Sequence, residues 1–403
     1  MELFRLEHKK LWRKNSVKIS VLLCFTYMVI FGSILSFQWF SFGSLNGYTT
    51  AFGNHFDGYS VIKGSQEYTL SFQGELTDEI LQKLVQDYQK MKADRMDEEA
   101  QKTDYQMINS WLELLWPELK DSTDYRLMIN YVDPERLTGL YERRQQAIEE
   151  FLENNNQTDK EREYILKINE KVDEPLHYNW TQGWSVLLGS TVADMGTVMA
   201  LFIAIAVSSL FAGEWHDNTS SLMLTTRNGW GKIAYVKICT GIAFVMELFI
   251  ILMLGIVSAQ LFYMGTAGWD MPIQNIKMLA VAPMNMLQAE IYEFAFTLLG
   301  AVGYAGIVML ISASVKNNVL ALLFSLAVIY VPPMVVRYFP YGMQKVMNLI
   351  PLAGSGADIF RTNTFYVFGK YIWSPYLLLT VPVLIGIVCM PFAVKKWSRR
   401  IRA

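Results

Sequence analysis

Residues 233–263 read IAYVKICTGIAFVMELFIILMLGIVSAQLFY, an apolar run whose only charged side chains are Lys237 near its start and Glu247 near its middle. At about 1.5 Å per residue a helix of this length exceeds the ~30 Å of a bilayer core. A helix also satisfies its own backbone hydrogen bonds, as lipid requires. Working outward, comparable runs occupy about 18–40, 184–212, 291–315, 319–338 and 373–394. The expected fold is therefore an all-α polytopic membrane protein with six transmembrane helices. Of the 403 residues, 52% are hydrophobic and 18% charged, and the apolar ones gather in these runs. That pattern excludes a soluble globular enzyme, a secreted disulfide scaffold and a mainly disordered chain.

The net charge of −2 conceals an asymmetry. From Ser41 to Trp184 the chain carries −12, and the remainder carries +10. Arg5, Lys9, Lys10, Arg13, Lys14 and Lys18 precede the first run; Lys395, Lys396, Arg399, Arg400 and Arg402 follow the last. By the positive-inside rule both termini are expected to be cytoplasmic with the acidic segment outside, which an even number of spans allows. The first run is too long for a signal-peptide core and has no small-x-small cleavage site, so it reads as an uncleaved anchor. Before it, residues 1–17 read as an interfacial amphipathic helix, with Leu3, Phe4, Leu6, Leu11 and Trp12 toward lipid and the basic residues at headgroups. Residues 395–403 form a basic tail. Nothing in the charge pattern calls for nucleic acid.

Residues 41–183 make a domain of ordinary size, expected to be mostly α-helical. Residues 59–62 and 68–72 alternate about Lys63-Gly64-Ser65-Gln66, which predicts a small β-hairpin. Ile80, Leu81, Leu84, Val85, Tyr88 and Met91 recur at helical spacing, as do Ile108, Trp111, Leu112, Leu115 and Trp116. Asp133-Pro134-Glu135 predicts a helix start that buries Leu137, Leu140, Tyr141, Ile148 and Phe151. Thr158 through Glu161 is a capping box. His55 and His177 are isolated, and Cys24, Cys239 and Cys389 all lie in apolar runs, which reads as buried structural thiol. No metal or redox spacing is present, and no catalytic residue is identified. There is no G-x-x-x-x-G-K-[ST] phosphate loop; the nearest run, Gly229-Trp230-Gly231-Lys232-Ile233, lacks the hydroxyl after Lys.

The loop of residues 213–232, within the membrane part 184–394, carries the strongest functional pattern. Glu214 leaves the membrane, a short polar-then-apolar stretch follows through Thr219, Leu222 and Leu224, and Arg227, Lys232 and Lys237 lead back in. Composition fits either a re-entry loop or a short helix that meets a soluble partner. This loop resembles that of the ABC type-2 exporter permeases. There a Glu at the end of the second span precedes a Gly-Thr pair, a Leu-rich coupling helix and a Pro-x-Ser-Arg-like turn before a Lys. Glu214, Thr219, Leu222, Leu224 and Lys232 stand at matching places; Asn218 replaces the Gly, and Arg227 and Trp230 sit where the Pro and Arg of the turn would be. The resemblance extends to the interfacial helix, the six spans, the tight turn Lys316-Asn317-Asn318 and a long segment before the last span, residues 340–371, whose short apolar pieces resemble re-entrant helices. It implies a permease subunit with no cofactor of its own, paired with a second permease subunit and with separate ATPase subunits that hold ATP and magnesium. The implied cargo is amphipathic or hydrophobic: a peptide, antimicrobial, drug or lipid-like molecule. Rival readings are a receptor whose acidic domain senses a ligand and an ion-coupled carrier, although no internal repeat of spans supports the latter.

Acids inside a bilayer are costly and mark a cavity or a partner. Glu247 is expected either to line a path or gate, or to bond a polar group on a neighbouring helix such as Thr191 or Ser208. Asp194, in the second run, fits a helix–helix bond better. Glu290 and Glu293 are expected at the outer interface. Gly300, Gly303 and Gly306 recur every three residues, a small-residue face suited to close helix packing. Pro332-Pro333 is expected to break the fifth span.

Overall fold

The computed structural model describes residues 2–27, 29–30, 48–49, 55–56, 60–93, 105–124, 126–155, 157–188, 192–219, 231–352 and 359–399. The chain is mostly helical, with three two-stranded antiparallel pairings among the described residues. Among the described residues five helices are long and apolar enough to cross a membrane: Met195–His216, Lys232–Met264, Met286–Ser314, Asn318–Tyr338 and Ser374–Ser398. Residues 15–27 and 29–30 of the first expected span are also helical, and its remainder lies outside the described residues.

Met286–Ser314 is the axis of the bundle. It packs along Ser374–Arg399, Val192–Val207 and Lys232–Met264. Small residues make the tightest of these contacts. A Cβ at Gly386 would lie 2.5 Å from the Cα of Gly303, and one at Gly306 would collide with the Gly386 carbonyl. Two helix backbones therefore touch here, which no side chain larger than hydrogen permits. Gly300 stands instead against Leu352. The segment Met195–His216 is 78% buried while Asn318–Tyr338 is 17% buried, so the first is central and the second peripheral. The central segment breaks at Ser208. Ser312 of Met286–Ser314 donates to the Ser208 carbonyl at 2.5 Å and accepts from the N–H groups of Phe211 and Ala212 at 3.0 Å, satisfying donors that the restarted helix leaves open.

The domain builds its own core from Asp78–Ala93 and Tyr105–Leu115, whose Leu81, Leu84, Val85, Tyr88, Ile108 and Leu112 are buried. Two more of its helices, Leu140–Asn154 and Asp159–Asn169, turn Ile148, Leu152 and Ile165 into the core of the bundle. The domain is thus packed onto the bundle and is not a tethered globule. The capping box at Thr158 forms as expected, with Glu161 reaching back to the Thr158 N–H at 2.9 Å.

Elsewhere the structure corrects the sequence reading. Residues 60–70 form a helix in place of the expected hairpin; Ile62, Ser65 and Thr69, spaced three and four apart, are buried in it together with Gly64. A hairpin forms instead at Thr364–Val367 with Lys370–Trp373, turning through Phe368 and Gly369 at positive φ. It follows the short helix Tyr341–Met347 in the segment before the last long helix. Asp133 caps a single 3-10 turn, Pro134–Arg136. The long helix starts afresh at Leu140, where Asp78 accepts from the N–H groups of Gly139 and Leu140 at 2.7 and 3.0 Å. That restart shifts the buried face to Leu152 and leaves Phe151 42% exposed. Pro332 and Pro333 do not break their helix; they fall in its last turn, where few ladder bonds remain to be lost. Glu290 and Glu293 are buried, because the helix begins at Met286, earlier than the hydropathy suggests. Cys239 is exposed, since an apolar neighbourhood in sequence does not fix which side of a helix faces inward. On the N-terminal helix Glu2–Arg13, Glu7 and Leu11 are buried, while Leu6 is exposed.

Candidate functional site

Four segments meet at the end of the bundle that carries Glu2–Arg13. Their centre is Lys237, one and a half turns into Lys232–Met264 and 1% exposed. A buried ammonium needs acceptors. Lys237 donates to Glu7 on the N-terminal helix at 2.7 Å and to Glu214 at the end of Ser209–His216, also at 2.7 Å. Glu214, 4% exposed, also accepts from Lys10 at 2.5 Å and from the Thr219 hydroxyl. Two acids and two ammonium groups close the charge balance, the condition under which buried ions are tolerated. Lys14 donates to Ser209 at 2.8 Å. Burial, then repulsion from Lys237 and Lys10, lowers the Lys14 ammonium below its ordinary value.

Glu247 lies farther along the same helix. Its carboxylate is met by His8 at 2.9 Å and accepts from the Trp12 indole N–H at 2.8 Å, and it is 39% exposed. It therefore fastens the N-terminal helix. Of the partners expected from sequence, Ser208 is held by Ser312 and Thr191 lies outside the described residues. Trp12 packs beside Phe244, with ring centroids 5.8 Å apart.

The loop that leaves this cluster turns at Asn218, where φ is 54°, and the Thr219 N–H bonds to the Glu214 carbonyl at 3.0 Å. Leu222, Leu224 and Arg227 lie outside the described residues. Lys232 opens the returning helix and is exposed. The turn before Asn318 comes to the same end: Lys316 lies 5.2 Å from the ring of Trp215, which packs on the buried Trp397. Asp194 falls in Val192–Val207, and its side chain lies outside the described residues. Gly300, Gly303 and Gly306 are remote from the cluster, on the face described above.

Sequence reading missed Glu7, Lys10, His8, Trp12 and Ser312, and treated Lys237 only as a re-entry charge. The available signal was Lys237 itself, a cation inside an apolar run that must find partners. Which acids it would find depends on how the N-terminal helix docks, and no periodicity records that.

The opposite end is fastened differently. Arg144, fully buried, donates to the carbonyls of Met278 and Ala280 at 2.9 and 3.0 Å and to Glu174 and Asn169, both at 2.9 Å. The indole N–H groups of Trp180 and Trp184 reach the carbonyls of Met264 and Thr266, each at 3.2 Å. These bonds tie the domain to the loop between Lys232–Met264 and Met286–Ser314. No group of three or more His, Cys, Asp or Glu among the described residues is placed to hold a metal. No family model, curated protein or solved structure matches this chain.

Proposed function

We propose that the chain is the membrane subunit of a bacterial ABC exporter, working with a second permease subunit and with separate ATPase subunits that bind ATP and magnesium. The observation that supports this best is the ion cluster of Lys237, Glu214, Glu7 and Lys10. It joins the N-terminal helix, the end of the central segment and the start of a long helix at the root of the loop 217–231. A push delivered to that loop by a soluble partner would reach the bundle axis through buried bonds. Asn218 adds support. It stands where the resembling permeases have Gly, and at φ 54° it adopts the left-handed conformation that Asn tolerates best after Gly. In this reading both termini and the loop are cytoplasmic, the acidic domain is outside, and the cargo is amphipathic or hydrophobic.

The test is capture of the partner. The purified chain alone should hydrolyse no ATP, and from its native membrane it should bring down a separate ATPase. Leu222→Asp with Leu224→Asp should release that ATPase while leaving the chain folded. Retention of the ATPase and of transport in the double variant sinks the assignment. A receptor, by contrast, would keep its activity with no ATPase present.

A further inference from the structure

The helix Met286–Ser314 holds a carboxyl that none of the contacts above uses. Glu290 stands one turn past the capping box of Asn285 and Gln288, at the domain end of the bundle. It is 2% exposed, and neither carboxyl oxygen has a hydrogen-bond partner among the described residues. An ionised carboxylate is not sustained in such a place without compensation. Compensation comes from a cation, a metal ion or a proton.

The helices packed on Met286–Ser314 supply no cation nearby. Met195–His216 has no basic residue before His216, Lys232–Met264 none after Lys237, Asn318–Val335 none at all, and Ser374–Arg399 none before Lys395. The titratable groups they and the helix itself carry toward this end are Asp194, Tyr263, Glu293, Tyr292 and Tyr376, all acids. Of the basic residues in the adjoining loops, Lys277 lies over the Phe360 ring, Lys345 over Tyr341 and beside Glu161, and Arg337 over Tyr338, and no described cation bonds to Glu290. A metal ion would need about six oxygen ligands, and no cluster of three ligating side chains occurs among the described residues. A proton needs one oxygen.

We propose that Glu290 is a proton-binding site, a neutral carboxylic acid in this closed arrangement that releases its proton to water when the domain end of the bundle opens. The O–H bond breaks, the electron pair stays on the carboxylate, and water takes the proton; no other reactant is involved. By linkage, a proton held in the closed arrangement stabilises it at low pH, and that stabilisation is lost as pH rises. The inference rests on burial and on the lack of any bonded partner, and it stands whether or not the exporter reading does.

Dicyclohexylcarbodiimide, an apolar reagent for protonated carboxyls, provides the test. With the full chain in lipid nanodiscs, fragment mass spectra should place an adduct on Glu290 near neutral pH, and a water-soluble carbodiimide should leave it unmodified. Labelling should fall about tenfold per unit once pH exceeds the carboxyl's own value. No adduct at any pH from about 5 to 9, a range that spans the values buried carboxyls reach, overturns the proposal. So does equal labelling by the two reagents. Glu290→Gln, which mimics the neutral acid, should melt like the wild type at low pH and above it at high pH. A Glu290→Gln protein that melts well below wild type at both ends would mean an ionised, bonded carboxylate and would also overturn it. If that variant fails to fold, the labelling of the wild type still decides.

Discussion

At the end of the bundle that carries the N-terminal helix, side chains are joined to side chains: Lys237 to Glu7 and Glu214 and Lys10 to Glu214 by charge, and His8 and Trp12 to Glu247 by hydrogen bonds. At the domain end, donors reach backbone carbonyls: Arg144 to Met278 and Ala280, Trp180 to Met264, Trp184 to Thr266. The difference sets how each end fails. A buried ion set is cooperative, because removal of one member strands the others without solvent. Bonds to carbonyls are spread over a backbone that packing also holds, so each loss is local. A push applied at the charged end travels as a unit; motion at the domain end can occur piece by piece.

The largest expected effect breaks the charged end. Lys237→Ala leaves Glu7 and Glu214 buried with one ammonium between them, which should cost about 3–5 kcal/mol. The expected outcome is a large drop in melting temperature of the detergent-solubilised chain, or failure to assemble. Adding Glu7→Gln and Glu214→Gln to Lys237→Met removes the buried charges, leaves Lys10 to water at its 45% exposed position, and should recover most of the loss. Recovery separates a cooperative ion set from three independent contacts. If the triple variant is as unstable as Lys237→Ala, the cluster does not act as described.

Arg144→Met comes next and probes the other end. It removes four hydrogen bonds from a fully buried guanidinium. Burial already lowers that group's pKa from its ordinary value, while Glu174 opposes the fall. Glu174 keeps 37% exposure and can be solvated when released, so the cost should be smaller, about 1.5–3 kcal/mol. Hydrogen exchange should quicken at residues 274–282 of the loop and remain unchanged at 233–247. Exchange that rises equally at both ends would erase the contrast between them.

How far sequence carries this architecture follows the range of the forces involved. The five apolar helices were legible because a bilayer-length run and its 3.6-residue period are local properties. The Thr158 capping box was legible for the same reason, since its two bonds close within four residues. The helix at 60–70 was misread because a short stretch can match both periods, and only tertiary burial of Ile62, Ser65 and Thr69 selects one. The hairpin at 364–373 did carry a signal, Phe368-Gly369 between two aromatic, β-branched stretches, which the search for membrane segments passed over. The site was legible at Glu214 and Thr219. Its partners were not, because Glu7 and Lys237 lie far apart in the chain and meet only after the N-terminal helix docks.

Ser312→Ala sharpens the comparison at the bundle axis, midway between the two modes. It removes the hydroxyl that serves Ser208, Phe211 and Ala212 across two helices. Leaving those buried N–H groups open should cost about 1–3 kcal/mol, toward the low end if the break at Ser208 relaxes. Ser312→Thr keeps the hydroxyl and should lose less. Equal losses for Ala and Thr would mean that packing, and not the hydrogen bonds, is what Ser312 supplies.

The smallest effect tests whether any charge matters at the domain end. Glu161 joins the domain to both the hairpin and the short helix before it: it accepts from the Thr364 hydroxyl of the hairpin at 2.8 Å and faces Lys345 of Tyr341–Met347 at 3.8 Å while closing its own capping box. Burial raises its pKa, but the Thr158 N–H, the Thr364 and Thr158 hydroxyls and Lys345 together outweigh that and hold the carboxyl below its ordinary value. The sign follows. A carboxyl whose folded pKa is depressed contributes stability above its unfolded value, and that contribution fades as pH falls through the folded value. Glu161→Gln should therefore cost about 0.5–1 kcal/mol at neutral pH, the range of a helix cap with a partly exposed pair. The gap between variant and wild type should close on acidification. A gap that persists at low pH would show that Gln fails on shape and not on charge, and the contact between Glu161 and the hairpin would then rest on neutral bonds.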